Sequence, residues 1–274
     1  MPKPPLIGSS LIELDGYLIT CGGVTESPSN AFYPVCSLGN RSWFLMNATR
    51  AFATHVKINE NEVLVTGGKN ENGPTGSTEI LKLGESRPGP DLPTILQDYC
   101  LVSMDAFEIM LVGGRALNQS PQRRTYKLDT SNLTTLSVWS KGPFLHEERY
   151  GHSCGTFQIG SSKYVIVAGG AKMVLDLYLS IRLDTVEMLK MGSDQNRWVP
   201  GATLPKKTFF GSQLLAIQSS LLMVHQQSLF EMKCPGPDPK DCHWREAPGV
   251  WQTPMVNPQL FIMSNLRQGP TFCQ

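Results

Sequence analysis

Four stretches of the chain repeat one phrase: Tyr17-Leu-Ile-Thr-Cys-Gly-Gly23, Glu62-Val-Leu-Val-Thr-Gly-Gly68, Glu108-Ile-Met-Leu-Val-Gly-Gly114 and Tyr164-Val-Ile-Val-Ala-Gly-Gly170. Each is a short apolar run closed by two glycines, and the pairs begin at 22, 67, 113 and 169. Intervals of 45, 46 and 56 residues match a propeller blade rather than a helical solenoid unit. A repeat of this kind buries its faces only against its neighbours, so fold and function both follow from the array.

The unit is longer than its glycine phrase. Some way ahead of each phrase lies another apolar stretch: Leu6–Leu14, Ala51–Ile58, Tyr99–Ser103, Gly151–Ile159 and Phe209–Ile217. After it come a polar loop, a third strand-like run such as Thr78–Leu83 or Thr125–Leu128, and then a Trp: Trp43, Trp139, Trp198 or Trp244. The second unit lacks the Trp. A fifth, degraded copy is Ser220-Leu-Leu-Met-Val-His-Gln226, with His225-Gln226 in the glycine slot. Four short β-rich runs per unit, bounded by Gly, Pro, Asn and Ser, describe a four-stranded antiparallel blade. The expected fold is all-β, with five full blades at 6–47, 51–90, 95–143, 149–205 and 208–250 in a single domain. The C-terminal segment 251–274 holds one more strand, Gln259–Ser264, which closes the ring or begins a partial sixth blade.

These residues resemble the Kelch repeat, in which a blade opens with Arg-x-Gly-His, reaches a double glycine at the end of its second strand, and carries a Tyr and a Trp on strands three and four. Arg149-Tyr-Gly-His-Ser153, Gly169-Gly170 and Trp198 match best. Leu92-Pro93 and Leu204-Pro205 fit the usual linker, and the third-strand Tyr survives as Tyr33, Tyr126 and Tyr178. The resemblance covers nearly the whole chain and implies a Kelch-type β-propeller.

The glycines have a physical reading of their own. A second strand packed on both sides is nearly continuous in Val, Ile, Leu and Met. A chain leaving it beside a neighbouring blade needs positive φ or close backbone approach, and glycine supplies either. Gly22, Gly23, Gly67, Gly68, Gly113, Gly114, Gly169 and Gly170 are therefore structural. No dinucleotide or P-loop pattern follows a strand, so no phosphate cofactor is expected.

Net charge is +1 over 274 residues, which implies no bulk attraction to nucleic acid or anionic membrane. Apolar runs are too short for a transmembrane helix, and the start, Met1-Pro-Lys-Pro-Pro-Leu-Ile, lacks the apolar core of a signal peptide. Seven cysteines pull the other way. Cys234 and Cys242 flank a Pro- and Gly-rich turn at hairpin spacing, and Cys21 and Cys36 fall on neighbouring strands, so either pair could be bonded. Cys100 and Cys154, on equivalent first strands, read as buried core thiols. Sequons at Asn40, Asn47, Asn118 and Asn132 add a secretory hint. With an odd cysteine and no leader, the sequence favours the cytoplasm slightly over an extracellular setting.

No catalytic constellation stands out. His55, His146, His152, His225 and His243 lack metal-ligand spacing, no Cys-x-x-Cys occurs, and no nucleophile elbow is present. The expectation is a non-catalytic, monomeric module without metal or cofactor that binds a protein through its loop face, as an adaptor or scaffold. The resemblance also admits a secreted carbohydrate-active or oxidase-like relative. In Kelch domains that grip acidic peptides, the arginine at a blade's entry is often a contact. Carried over by position, Arg50, Arg149 and Lys207, with Gln97 in the same ring, become candidates for an acidic segment of the partner, since Arg offers carboxylates a planar fork. Arg123 and Arg124, in the long loop of the third blade, add positive charge.

Overall fold

The computed structural model describes residues 6–26, 29–39, 41–174, 179–193, 196–217, 219–226 and 228–247. Among them every blade strand pairs antiparallel in chain order, and the strands form five four-stranded sheets, as the repeat predicts. The one helical element described is a 3-10 turn at Pro239–Asp241. The expected strand Gln259–Ser264, Tyr178 and Asn40 lie outside the described residues.

The chain divides into two compact units. One is built on 6–96 with Asp129–Trp139 and holds the first two blades. Blade one runs Ser10–Leu14, Tyr17–Cys21, Val35–Leu38, Arg41–Leu45; blade two runs Thr54–Asn59, Glu62–Thr66, Thr78–Lys82, Glu85–Pro88. The inner strands carry the apolar runs. Ile12, Leu14, Ile19, Val63, Val65 and Leu81 pack into one buried cluster where the two blades face each other. Apolar surface removed from water at about 25 cal/mol per Å² makes this contact stabilising.

The other unit, on Gln97–Leu128 and 140–247, holds three blades. Blade three is Cys100–Ser103, Glu108–Val112, Thr125–Asp129, Ser140–Lys141. Blade four is Ser153–Ile159, Ser162–Ala168, Val186–Lys190, Trp198–Pro200, and blade five is Ser212–Ile217, Ser220–His225, Ser228–Lys233, His243–Ala247. Blades three and four share a core of Val102, Met110, Val112, Val165, Val167, Leu189 and Trp198. Blades four and five share Phe157, Ile166, Met188, Leu221, Met223, Phe230 and Trp244. Blade four thus buries both faces, which is why its second strand reads as an unbroken apolar run rather than an alternating one.

Three disulfides lie among the described residues. Cys21 and Cys36 are direct cross-strand partners with Cα atoms 4.0 Å apart, and Cys234–Cys242 closes the hairpin between the third and fourth strands of blade five at 4.1 Å. The third bond corrects the reading of Cys100 and Cys154 as free core thiols: the two are joined, Cα to Cα 6.0 Å. Their first strands run side by side in successive blades, a neighbourhood that spacing within a single blade does not reveal. Bonds of this kind persist in an oxidising compartment, against the slight preference for the cytoplasm.

The inter-blade bond spans 54 residues of sequence, the longest of the three. Removing it as the Cys100→Ser/Cys154→Ser double variant should lower unfolding stability by about 2–4 kcal/mol in urea melts of oxidised protein. A midpoint equal to wild type would show that the bond adds nothing to the packing already there.

Candidate functional site

The entry arginines do not face a ligand. Arg50 and Arg149 are 1% and 0% exposed, among the most deeply buried large side chains described. Arg50 donates from Nη1 to the carbonyls of Gly67 (2.9 Å) and Ser77 (3.1 Å), and from Nη2 to Oε1 of Glu79 at 2.6 Å. Arg149 repeats the pattern: Nη1 to the carbonyls of Gly169 (3.0 Å) and Thr185 (3.2 Å), Nη2 to Oε1 of Glu187 at 2.8 Å. The glutamates in turn accept from the linker leading into the blade. Asn47 and Ala48 donate their backbone N–H groups to Glu79 at 2.6 and 3.1 Å, and His146 and Glu147 donate theirs to Glu187 at 2.7 and 3.1 Å. Through its two terminal nitrogens each guanidinium ties a blade's entry to its own second and third strands, and its burial there corrects the assignment of both as contacts for an acidic segment.

Lys207 is corrected by register. Gly23 and Gly114 donate to the carbonyls of Arg50 and Arg149, and Gly170 donates to that of Thr208, so Thr208 is the fifth blade's equivalent of the arginines. Lys207 is exposed one position earlier, and Arg123 and Arg124 are exposed in their loop.

All eight glycines of the pairs have positive φ. At Gly169 a side chain would collide with that of Thr208, and at Gly170 it would meet the carbonyl oxygen of Tyr150 at 2.7 Å and Cβ of His152 at 2.8 Å. The first glycine of this pair admits the next blade's entry, and the second admits its own blade's first strand. In the fifth blade, Ser212 pairs with His225 as Ser153 pairs with Ala168. The glycine slot therefore begins at Gln226 rather than at His225, and Gln226 still adopts φ +51°.

A surface feature emerges two residues after the entries of the first four blades, where the chain turns through positive φ at Gly8, Phe52, Asp98 and Gly151. For a bulky residue such as Phe52, φ +57° is strained. In the first unit the Phe52 ring, 47% exposed, lies flat over Gly8, with Lys69 Nζ 4.8 Å from its centroid. In the second unit the same device is elaborated. Gly151 donates its N–H to the Asp98 carbonyl (2.8 Å), and the bare Gly151 backbone leaves room for the Phe210 and Phe209 rings. Tyr150 packs edge-on against both, and its hydroxyl pairs with Ser180 at 2.8 Å. Arg115 sits 5.3 Å from the Tyr150 ring centroid, donates from Nε to Asp98 at 2.5 Å, and is held from behind by Gln119 at 2.6 Å. Burial pushes the Asp98 carboxyl above its usual range, with Arg115 pulling against it. Phe210 remains 41% exposed. The result is an aromatic plate bordered by a half-buried Arg–Asp pair, drawn from the entries of three blades.

Neither this plate nor Glu79 and Glu187 was read from the sequence. The signal for the glutamates was available: Thr78-Glu-Ile-Leu-Lys82 and Val186-Glu-Met-Leu-Lys190 place an acid inside an apolar strand twice, which demands a buried partner. A concavity of about 420 Å³ lies between turns of blades three and four, lined among others by Met104, Asp105, Glu108, Lys127, Met191 and Ser193. Of its two lysines, Lys127 and Lys190, the first is paired with Glu108 at 3.4 Å. Among the described residues no three His, Cys, Asp or Glu side chains converge as metal ligands.

No protein-family profile matches the chain, and no curated protein matches it in sequence. Among solved structures, one entitled "Structure of YjhT" aligns with a TM-score of 0.70 at 14% identity, covering 88% of this chain and 84% of its own. At that identity the likeness shows the fold alone: the four-stranded sheets are the blades of a β-propeller.

Truncating Arg149 leaves Glu187 buried without its counter-charge. Arg149→Ala should therefore lower stability by about 3–5 kcal/mol, while Lys207→Ala should stay within about 0.5 kcal/mol. Equal melting temperatures for the two would return Arg149 to the ligand-binding candidates. A pH dependence follows from His152, whose pKa burial and then the neighbouring Arg149 depress to about 3. The unfolded chain takes up a proton near pH 6.5 that the native ring refuses. Stability should thus fall as pH drops from about 6.5 toward 3, by up to about 1.4 kcal/mol per pH unit from this residue. His152→Asn should flatten that limb in pH-resolved urea melts; an unchanged slope would show that His152 is protonated in the fold.

Proposed function

We propose that this chain is a non-catalytic, Kelch-type binding module working in an oxidising, extracellular setting, and that it engages a protein partner through the plate around Phe210. The observation that carries the reading is the exposed ring of Phe210, packed at a 45° tilt with its centroid 4.0 Å from that of Phe209, beside the Asp98–Arg115 pair. Rigid aromatics and a fixed guanidinium are the residues that dominate binding at protein interfaces. Strain supports it as well: Asp98 is held at φ +55°, and strained backbone clusters at ligand contacts. The Kelch type rests on Arg149-Tyr-Gly-His152, the glycine pairs and the fourth-strand tryptophans. The extracellular setting rests on the three disulfides. Exposed Arg123, Arg124 and Lys207 favour a partner with acidic character around its apolar anchor.

A sugar ligand is the second reading. Aromatic faces flanked by a carboxylate also suit carbohydrate, and a secreted carbohydrate-active relative would use such a plate.

Phe210→Ala should weaken partner binding at least tenfold, an aromatic anchor contributing about 2 kcal/mol or more, while changing stability by about 1 kcal/mol or less. The check is quantitative recovery of the partner from the extracellular fraction of the source by wild type, Phe210→Ala and Lys240→Ala proteins. Equal recovery by all three would overturn the assignment. Loss of binding to a glycan array, with protein recovery intact, would select the sugar reading.

A further inference from the structure

Three sequons fall among the described residues, at Asn47, Asn118 and Asn132, and all three asparagines are exposed. Their surroundings differ. Asn47 is occupied locally: its Nδ2 donates to the Ser86 carbonyl at 3.3 Å, and the Thr49 hydroxyl is taken by Glu71 at 2.8 Å. Asn118 stands at a loop tip where its Oδ1 accepts from both the backbone N–H (3.1 Å) and the hydroxyl (2.7 Å) of Ser120. The acceptor amide and the sequon hydroxyl are therefore already joined, with Nδ2 turned away from that contact. Asn132 lies on the loop of the first unit that ends in a turn, where Ser137 donates to the Thr134 carbonyl at 3.1 Å. That loop raises two apolar side chains into solvent, Leu136 at 85% and Val138 at 81% exposed. Two such groups close together on one loop form a small exposed apolar surface.

We infer that Asn118 and Asn132 are sites of N-linked glycosylation, the Asn132 glycan shielding Leu136 and Val138 and the Asn118 glycan standing at the rim of the Arg115–Gln119 contact. The inference rests on the oxidising setting of the proposed function, because the disulfides and the glycan are added in the same compartment. The donor class is an oligosaccharide linked to a polyisoprenyl pyrophosphate. A bond forms between the side-chain Nδ2 and the sugar C1 as the C1–O bond to phosphate breaks. The pyrophosphate leaves with the electron pair of that bond, and the amide gives up one proton to a base, so no oxidant or reductant is needed.

Peptide mapping of protein from its native source, without reduction and with or without a peptide-N-glycanase, tests both layers at once. The expected result is that Asn118 and Asn132 peptides carry glycan mass and appear as Asp after the enzyme, with Cys100 and Cys154 cross-linked. Asn118→Gln and Asn132→Gln should each remove one glycan when the chain is expressed through a eukaryotic secretory pathway. Unmodified asparagines beside an intact Cys100–Cys154 bond would overturn the glycan inference and leave the compartment standing. Unmodified asparagines with both thiols alkylatable would overturn the two together.

Discussion

A guanidinium taken out of water is tolerated only where a carboxylate and enough carbonyls replace its hydration, and this chain makes that replacement twice. In blade two, Arg50 meets Glu79 and the carbonyls of Gly67 and Ser77; in blade four, Arg149 meets Glu187 and those of Gly169 and Thr185. The geometry selects one arrangement because each partner sits on a different piece of the blade. The arginine is at the entry, the first carbonyl closes the second strand, the carboxylate is on the third strand, and the linker N–H groups bind the same carboxylate. A one-residue slip in any ladder would turn the glutamate toward the opposite face and strand both charges. Desolvation offsets much of the ion pair's attraction, so the pair works as a register pin rather than as a large net source of stability.

Elsewhere the pin is replaced, and the replacements are consistent within a blade. Counting along the ladders, the glutamate position becomes Ser37 in blade one, Tyr126 in blade three and Leu229 in blade five. Blade five has lost both partners, with Thr208 at the arginine position and Leu229 at the glutamate position. Neither member survives alone there, as expected if an unpaired buried charge is the costly state.

The difference between what the sequence revealed and what it hid follows from the range of the interactions. Strand periodicity, the glycine phrase and the tryptophan slot are local, so five four-stranded blades were legible from apolar runs and punctuation. The hairpin and cross-strand cysteines were legible for the same reason. Cys100 and Cys154 were not, because their contact crosses from one blade to the next. The entry arginines were assigned to the right positions and the wrong direction: spacing defines a slot along the chain but not whether the side chain points to a channel mouth or into the blade. Glu79 and Glu187 would have settled the direction, since an acid embedded in Ile, Met and Leu cannot face water and must recruit a cation. The plate of Asp98, Arg115, Tyr150, Phe209 and Phe210 was hidden more deeply, being assembled from three blade entries that no single motif joins.

Blade five is where these threads meet. It lacks the arginine pin, and its glycine slot holds Gln226 in a left-handed conformation that a glycine would adopt without strain. Its order comes from other devices: the Cys234–Cys242 bond, and Glu231, whose carboxyl Lys233, Arg245 and Ser220 hold down at about 2 through hydrogen bonds. Those devices act on the third and fourth strands, away from the entry. The entry, freed of the guanidinium that fixes blades two and four, carries Phe209 and Phe210 instead. A position relieved of that structural duty can carry other side chains, and here it presents an exposed aromatic face backed by Gly151, Tyr150 and the Asp98–Arg115 pair.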